Sequence, residues 1–224
     1  HRRQRQMCIR DRDLILATFL AAGALSALFK AQMLYTLPVS LFAMSVAAAE
    51  LPELSRLSDE PIAVAHRANA ALRRIAFWML ASSLLLIAAG EPIVQMLFEG
   101  GEFGSDDTSL VWLILVFYAF GLPAIGLSRM LQNASFAMGD TSGPARLAAL
   151  RVTIAAVIGV LVMFPLDRAF IGADGIEALG DTIGLAGPLD TDQRTDESLV
   201  RLGAVGLAIG SAIGAWVELM LLAR

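Results

Sequence analysis

The side chains of this chain that could do chemistry are few, and several lie inside long apolar runs. Gln32, Thr36 and Ser40 recur every four residues, which sets them along one face of a helix. Lys30 stands just before them, and Met33 lies between. Lipid offers a polar stripe no partner, so such a face needs a neighbouring helix or a water-filled cavity. Two readings stay open from the residues alone. The stripe lines a transport cavity, or it hydrogen-bonds across helices while Lys30 snorkels to the outer interface.

The carboxylates point to binding and packing more than to catalysis. Glu50 and Glu53 flank Leu51-Pro52, and Arg56 stands one helical turn beyond Glu53, a spacing that suits a solvated ion pair at a membrane edge, with a proton relay as the alternative. Glu91 is expected near the outer surface and Glu218 near the inner one, with a protonatable coupling residue as the alternative role of either. An enzyme buried in a membrane would want His, Asp or Glu clustered at depth, and no apolar run holds such a cluster. With one cysteine (Cys8) and two histidines (His1 and His66), a disulfide framework or a metal centre lacks its residues, and no cofactor is expected. A net charge of −4 leaves no basic surface for nucleic acid.

The elements that must position these groups are read from composition. The chain is 57% hydrophobic and 17% charged, whereas soluble domains carry about a quarter charged residues. Its mean hydropathy is +0.67. The apolar residues are bunched into runs free of charge: Leu14–Phe29, Ala31–Ala49, Ile75–Gly90, Thr108–Ser128, Val152–Leu166 and Leu202–Val217. A bilayer-spanning helix needs roughly 20 such residues. The shorter runs reach that length by passing a charge that sits near an interface, such as Glu91, Arg151 or Glu218. The expected fold is an all-α bundle of about six transmembrane helices: five over residues 13–166 and a sixth over 202–224.

Arginine-rich and arginine-poor connections alternate along the chain. Leu51–Arg74 holds Arg56, Arg67, Arg73 and Arg74, and the connection after the fourth run holds Arg129, Arg146 and Arg151. Between the third and fourth runs stand Glu99, Glu102, Asp106 and Asp107, with no Lys or Arg. The positive-inside rule puts the arginine-rich connections, and with six spans both ends of the chain, in the cytoplasm. Residues 167–201, rich in Gly, Asp and Thr, read as an acidic outer loop in which Ile176–Leu185 is at most a short surface helix. Residues 1–12 are basic, resemble translated sequencing-adapter read-through and are expected to be non-native.

Breakers interrupt two spans: Pro38 in the second, and Gly121 with Pro123 in the fourth. Proline removes a helical hydrogen bond, and transporters place broken helices where one bundle rocks on another, so these are hinge candidates beside the plain alternative of tolerated kinks. Gly203, Gly206, Gly210 and Gly214 mark a face for close helix packing.

Several strings, taken together, resemble the MurJ/MviN family. Leu37-Pro38-Val39-Ser40-Leu41-Phe42 and then Leu51-Pro52-Glu53-Leu54-Ser55-Arg56 are similar to its "LP-x-x-LF … LP-x-LSR" pattern, with matching spacing. Leu97–Phe103 resembles its "LF-x-x-G-x-F" outer turn, Tyr118–Pro123 its "Y-x-x-GLP" helix, and Phe136–Pro144 its "FYA-x-x-DT-x-x-P" loop. Gly206-Leu207-Ala208 resembles the start of a later helix. The likeness covers about Leu14–Leu166 and Val205–Arg224; the 167–201 segment is longer than the family's turn.

The resemblance implies one six-helix lobe, the second, of a two-lobed exporter in the bacterial inner membrane. Its cargo would be lipid II, the undecaprenyl-diphosphate-linked peptidoglycan precursor, moved from inner to outer leaflet by alternating access. The implied partners are that precursor, membrane lipids and a first lobe absent from this chain, as are the helices that hold the lipid tail. The substrate-cavity candidates are Lys30, Gln32, Met33, Thr36 and Ser40; Pro52, Arg56, Asp140 and Pro144 belong to the cytoplasmic motif. The family usually carries a cavity arginine where Met33 stands. Lys30, one turn away, is expected to supply the missing cation, and its replacement by Ala to abolish transport in a full-length protein. The other readings are a flippase for a different lipid-linked oligosaccharide and a non-transporting partner of cell-wall synthesis.

Overall fold

A backbone removed from water must satisfy its own hydrogen bonds, so the apolar runs fold as helices. The computed structural model describes residues 13, 15–20, 23–57, 60–101, 103–172, 175–178 and 200–224; the proposed non-native residues 1–12 lie outside them. Helix α1 spans Ala24–Pro38 and continues through a wide π-helical turn, Val39–Met44, into α2, Ser45–Arg56. Then come α3 (Pro61–Phe98), α4 (Ser105–Ala137) and α5 (Ser142–Leu166), three short strands, and α6 (Gly203–Leu222). By length and composition five helices among the described residues can cross a membrane, with α1, the π turn and α2 counted as one.

The sequence expects six spans, with the first turn at Lys30. The structure turns earlier. Gly23 adopts φ 84°, the left-handed region that glycine enters without steric cost, and the helix then runs unbroken through Lys30. The run 14–29 is thereby divided between the start of α1 and a short segment before it. In that segment Thr18, Phe19 and Leu20 donate to carbonyls three residues back, a tight turn at its end. Asp13 lies beside Tyr118 and Ser211, midway along α4 and α6, whereas Leu20 packs by Gly203 at the start of α6. The segment therefore runs antiparallel to α1.

Helix α4 is the centre of the bundle. Two thirds of its apolar window is buried, and it touches α1, α2, α3 and α6. Packing of this kind in a membrane rests on close van der Waals fit, because lipid tails are as apolar as the helices. Small residues supply the fit. A Cβ on Gly210 would stand 2.6 Å from the Ala155 carbonyl oxygen, and one on Gly121 3.2 Å from the Ala212 Cα. The glycine face of α6 thus seats on α5, in line with the packing expected for it, while Ala212 on another side of α6 seats on Gly121 of α4. Gly121 and Pro123 are buried in an uninterrupted α4, so this expected hinge is a close-packed contact in the structure. The large apolar side chains left outside, such as Leu84 and Phe77, suit a lipid-facing surface.

Pro38 falls at the boundary between α1 and the π turn. With no N–H to give and a ring that crowds the preceding turn, it favours the wider winding that follows. Past α5, part of the expected outer loop is ordered as a sheet of order β2-β1-β3, from Ala169–Gly172 (β1), Gly175–Ala178 (β2) and Val200–Arg201 (β3). Gly175–Ala178 is extended where the start of a surface helix was the alternative expected, and pairs antiparallel with β1, Ile176 opposite Ile171. Residues 179–199 lie outside the described ones.

Candidate functional site: a polar cavity inside the bundle

The i, i+4 stripe of α1 and the π turn comes together as one wall of a cavity of about 220 Å³. Gln32, Thr36 and Ser40 line it from that side, Tyr118 and Arg129 from α4, Arg151 from α5 and Ser211 from α6. The two readings of the stripe divide along its length. Buried Gln32 donates from Nε2 to the Tyr118 hydroxyl at 3.3 Å, so it is an interhelical contact as well as a lining residue. Thr36 and Ser40 donate to carbonyls one turn back on their own chain, at 2.6 and 2.9 Å, and face the cavity already satisfied.

Tyr118 relays the network. Its hydroxyl donates to Asp13 Oδ2 at 3.3 Å, and Ser211 Oγ donates to the same oxygen at 2.9 Å. Tyr35 stacks on Tyr118 with ring centroids 4.7 Å apart, a geometry that holds the phenol in place.

The opposite end of the cavity is cationic. Arg151 Nη1 pairs with Glu218 Oε2 at 2.9 Å, and Gln132 Nε2 donates to Glu218 Oε1 at 2.8 Å. Each carboxylate oxygen therefore accepts one hydrogen bond. Arg129 has neither a hydrogen bond nor an ion pair among the described residues. Two guanidiniums thus face the cavity against one carboxylate in this cluster.

These residues were missed because Arg129 and Arg151 read as parts of a connecting segment. The available signal was the run Met130–Ala137, free of Gly and Pro, which carries α4 about two turns beyond Arg129. Likewise Asp140 marks where α5 begins, well before Arg151. Asp140 Oδ1 accepts from the backbone N–H groups of Ser142 and Gly143, both at 3.0 Å, and from Ser142 Oγ at 3.2 Å. Those bonds, the one from Gly143 foremost, hold its carboxyl below the ordinary value of 3.8. Pro144 is buried in the first turn of the same helix.

Two expected cavity residues are elsewhere. Lys30 Nζ lies 3.7 Å from the centroid of the Phe103 ring and 5.8 Å from that of Phe98, beyond the acidic end of the cavity. An aromatic face stabilises a partly desolvated ammonium, which lets the helix run through Lys30 where a turn was expected. Met33 is 58% exposed and points away from the cavity lining. At the arginine-rich end, Arg56 pairs with Glu53 at 3.2 Å in the spacing expected, with Pro52 inside α2. Arg67 of α3 adds a shorter bond, 2.7 Å, to Glu50. Asn133 Nδ2 donates to the Ala47 carbonyl at 2.8 Å and ties α2 to α4.

The comparisons with known proteins agree with this architecture. The family model described as "Lipid II flippase MurJ" matches residues 12–180. The chain is 33% identical over 158 residues to a Rhizobium meliloti protein named "Probable lipid II flippase MurJ", covering 68% of this chain and 29% of the relative. It is 30% identical over 155 residues to "Lipid II flippase MurJ" of Thermosipho africanus, covering 69% of this chain and 32% of the relative. A solved structure titled "Lipid II flippase MurJ, inward closed conformation" superposes with a TM-score of 0.66 at 24% identity, over 89% of this chain and 35% of the other, and shows the same fold. The chain therefore spans about a third of the length of the relatives it matches, and by the match over residues 12–180 it belongs to the MurJ lipid II flippase family.

Proposed function

We propose that the chain is the second lobe of a flippase that moves lipid II, or a closely similar lipid-linked diphosphate, from the inner to the outer leaflet of the bacterial inner membrane. The observation that carries the reading is the coincidence of family match and cavity. The matched stretch, residues 12–180, contains every cavity-lining residue except those on α6. In this reading the arginine-rich ends of α2 and α3 face the cytoplasm and the Glu99–Asp107 turn faces out. Antiparallel packing of the segment from Asp13 to Leu20 on α1 agrees with entry from the cytoplasmic side. A first lobe would close the transport path, and the two would rock about the π turn after Pro38. A diphosphate group requires cations away from bulk water, and Arg129 with Arg151 supplies them in this lobe.

The test is reconstitution of the full-length protein in vesicles carrying labelled lipid II, with outer-leaflet exposure as the readout. Time-dependent exposure that needs the protein supports the reading. Movement of another lipid-linked oligosaccharide in place of lipid II would reassign the cargo, and Met33 at the place of the family's arginine is the residue that favours that second reading. No movement of either would leave a non-transporting partner of cell-wall synthesis.

A further inference from the structure

Pro123 lies in the interior of α4, where a proline leaves the carbonyl four residues back without its N–H donor and crowds it with the ring. That carbonyl belongs to Ala119, which is fully buried. Within a membrane an orphaned carbonyl has to find a donor on another helix or a cavity water. Ser83 of α3 supplies the donor: its Oγ gives a hydrogen bond to the Ala119 oxygen at 2.7 Å, and the serine is itself buried. The next carbonyl, that of Phe120, accepts from Trp216 Nε1 of α6 at 3.1 Å. Trp216 stands one turn beyond Ala212, whose Cα would lie 3.2 Å from a Cβ on Gly121. The close seat at Gly121 thus brings the indole within reach of α4.

The two bonds differ in place. Ser83 acts inside the bundle, whereas Trp216 acts at its outside, beside the exposed ring of Phe120. The break also divides the cavity, with Tyr118 lining it on one side of Gly121 and Pro123 and Arg129 on the other. These two positions are roughly 16 Å apart along the axis at 1.5 Å per residue, so a bend at Pro123 would change the aim of one end relative to the other. Sharp helix kinks form at proline. A helix that only has to be straight needs neither the proline nor two donors from its neighbours.

We propose that Ser83 and Trp216 are positioning residues that latch α4 straight across Pro123, and that the lobe reshapes its cavity by bending α4 there when the outer bond, Trp216 to Phe120, is released. The bending step rests on the proposed flippase reading; the latch stands on the two hydrogen bonds.

A thermal-unfolding cycle on the full-length protein in detergent tests the latch. Pro123→Ala returns an N–H to that position, which takes over the Ala119 carbonyl and makes the serine dispensable. Ser83→Ala is expected to lower the midpoint by about 2–6 °C in the wild-type background and by less than about 1 °C in Pro123→Ala. Trp216→Phe, which keeps a ring and loses the donor, should follow the same pattern. Ser82→Ala, at the adjacent buried position of α3, is the control and should have the same effect in both backgrounds. Equal losses for Ser83→Ala in the two backgrounds overturn the latch, because ordinary packing of a serine does not depend on the N–H of residue 123. A Trp216→Phe loss that ignores residue 123 removes Trp216 from it.

Vesicle transport tests the bend. Pro123→Ala, folded and at least as stable as wild type, is expected to slow outer-leaflet exposure of lipid II about tenfold or more. Transport at the wild-type rate overturns the bending step. Wild-type protein that moves no lipid sinks the flippase reading and the bend with it, while the unfolding cycle still decides the latch.

Discussion

Arg151 Nη1 and Glu218 Oε2 meet 2.9 Å apart between α5 and α6, with the carboxylate shut away from solvent. Two charges held so far inside a helical bundle stabilise each other only as a pair, and removal of one leaves the other uncompensated. Glu218→Ala is expected to destabilise the lobe by about 3–5 kcal/mol, whereas Arg151→Met together with Glu218→Leu recovers most of that loss. Thermal unfolding in detergent measures it. Single variants that melt like wild type would remove the pair from any structural role.

Lys30 and Phe103 offer a second coupling. With Nζ 3.7 Å from the ring centroid, Lys30→Met and Phe103→Leu should each loosen the turn between α3 and α4. A double-mutant cycle is expected to return a coupling of about 0.5–2 kcal/mol. Zero coupling would mean that the ammonium faces solvent.

Gly210 has no space for a side chain, since its Cβ position falls 2.6 Å from both the Ala155 carbonyl oxygen and the Gly159 nitrogen. Both are backbone atoms and cannot rotate aside. Gly210→Leu is therefore expected to separate α6 from α5 at a cost of at least about 1–3 kcal/mol, and to reduce the yield of folded protein. A Leu at exposed Met220, also on α6, should leave both unchanged.

Asp140 gives a pH-dependent test. Its folded carboxyl is depressed by the Gly143 and Ser142 hydrogen bonds, so its contribution is fully present above the ordinary value of 3.8 and is lost as pH falls through the lower folded value. Hydrogen exchange at the first turn of α5 should be faster in Asp140→Ala than in wild type at neutral pH. The difference should shrink below pH 3.8. A gap that stays constant across that range would rule out capping by the charged form.

How much of this was legible in the chain varies by residue. The Gln32–Thr36–Ser40 stripe is set by helical periodicity, and the cavity it lines follows the same four-residue spacing. The Glu53–Arg56 pair is equally local. The turn was misplaced because a lysine between two apolar runs looks like the end of one. Only the aromatic rings of Phe98 and Phe103, some seventy residues later, make a helix through Lys30 acceptable.

The helical membrane class was determined by the sequence by itself, because a bilayer leaves an apolar backbone one local solution and the pattern of apolar runs reports it. The alternation of arginine-rich and acidic connections was likewise a property of the chain. The tertiary structure alone decided where the charges inside the bundle are neutralised. Arg151 and Glu218 are 67 residues apart, and each by itself reads as a group that escapes to the membrane edge. Whether an arginine at depth is paired, as Arg151 is, or left facing a cavity, as Arg129 is, depends on neighbours that packing brings from distant helices. No spacing along the chain encodes that.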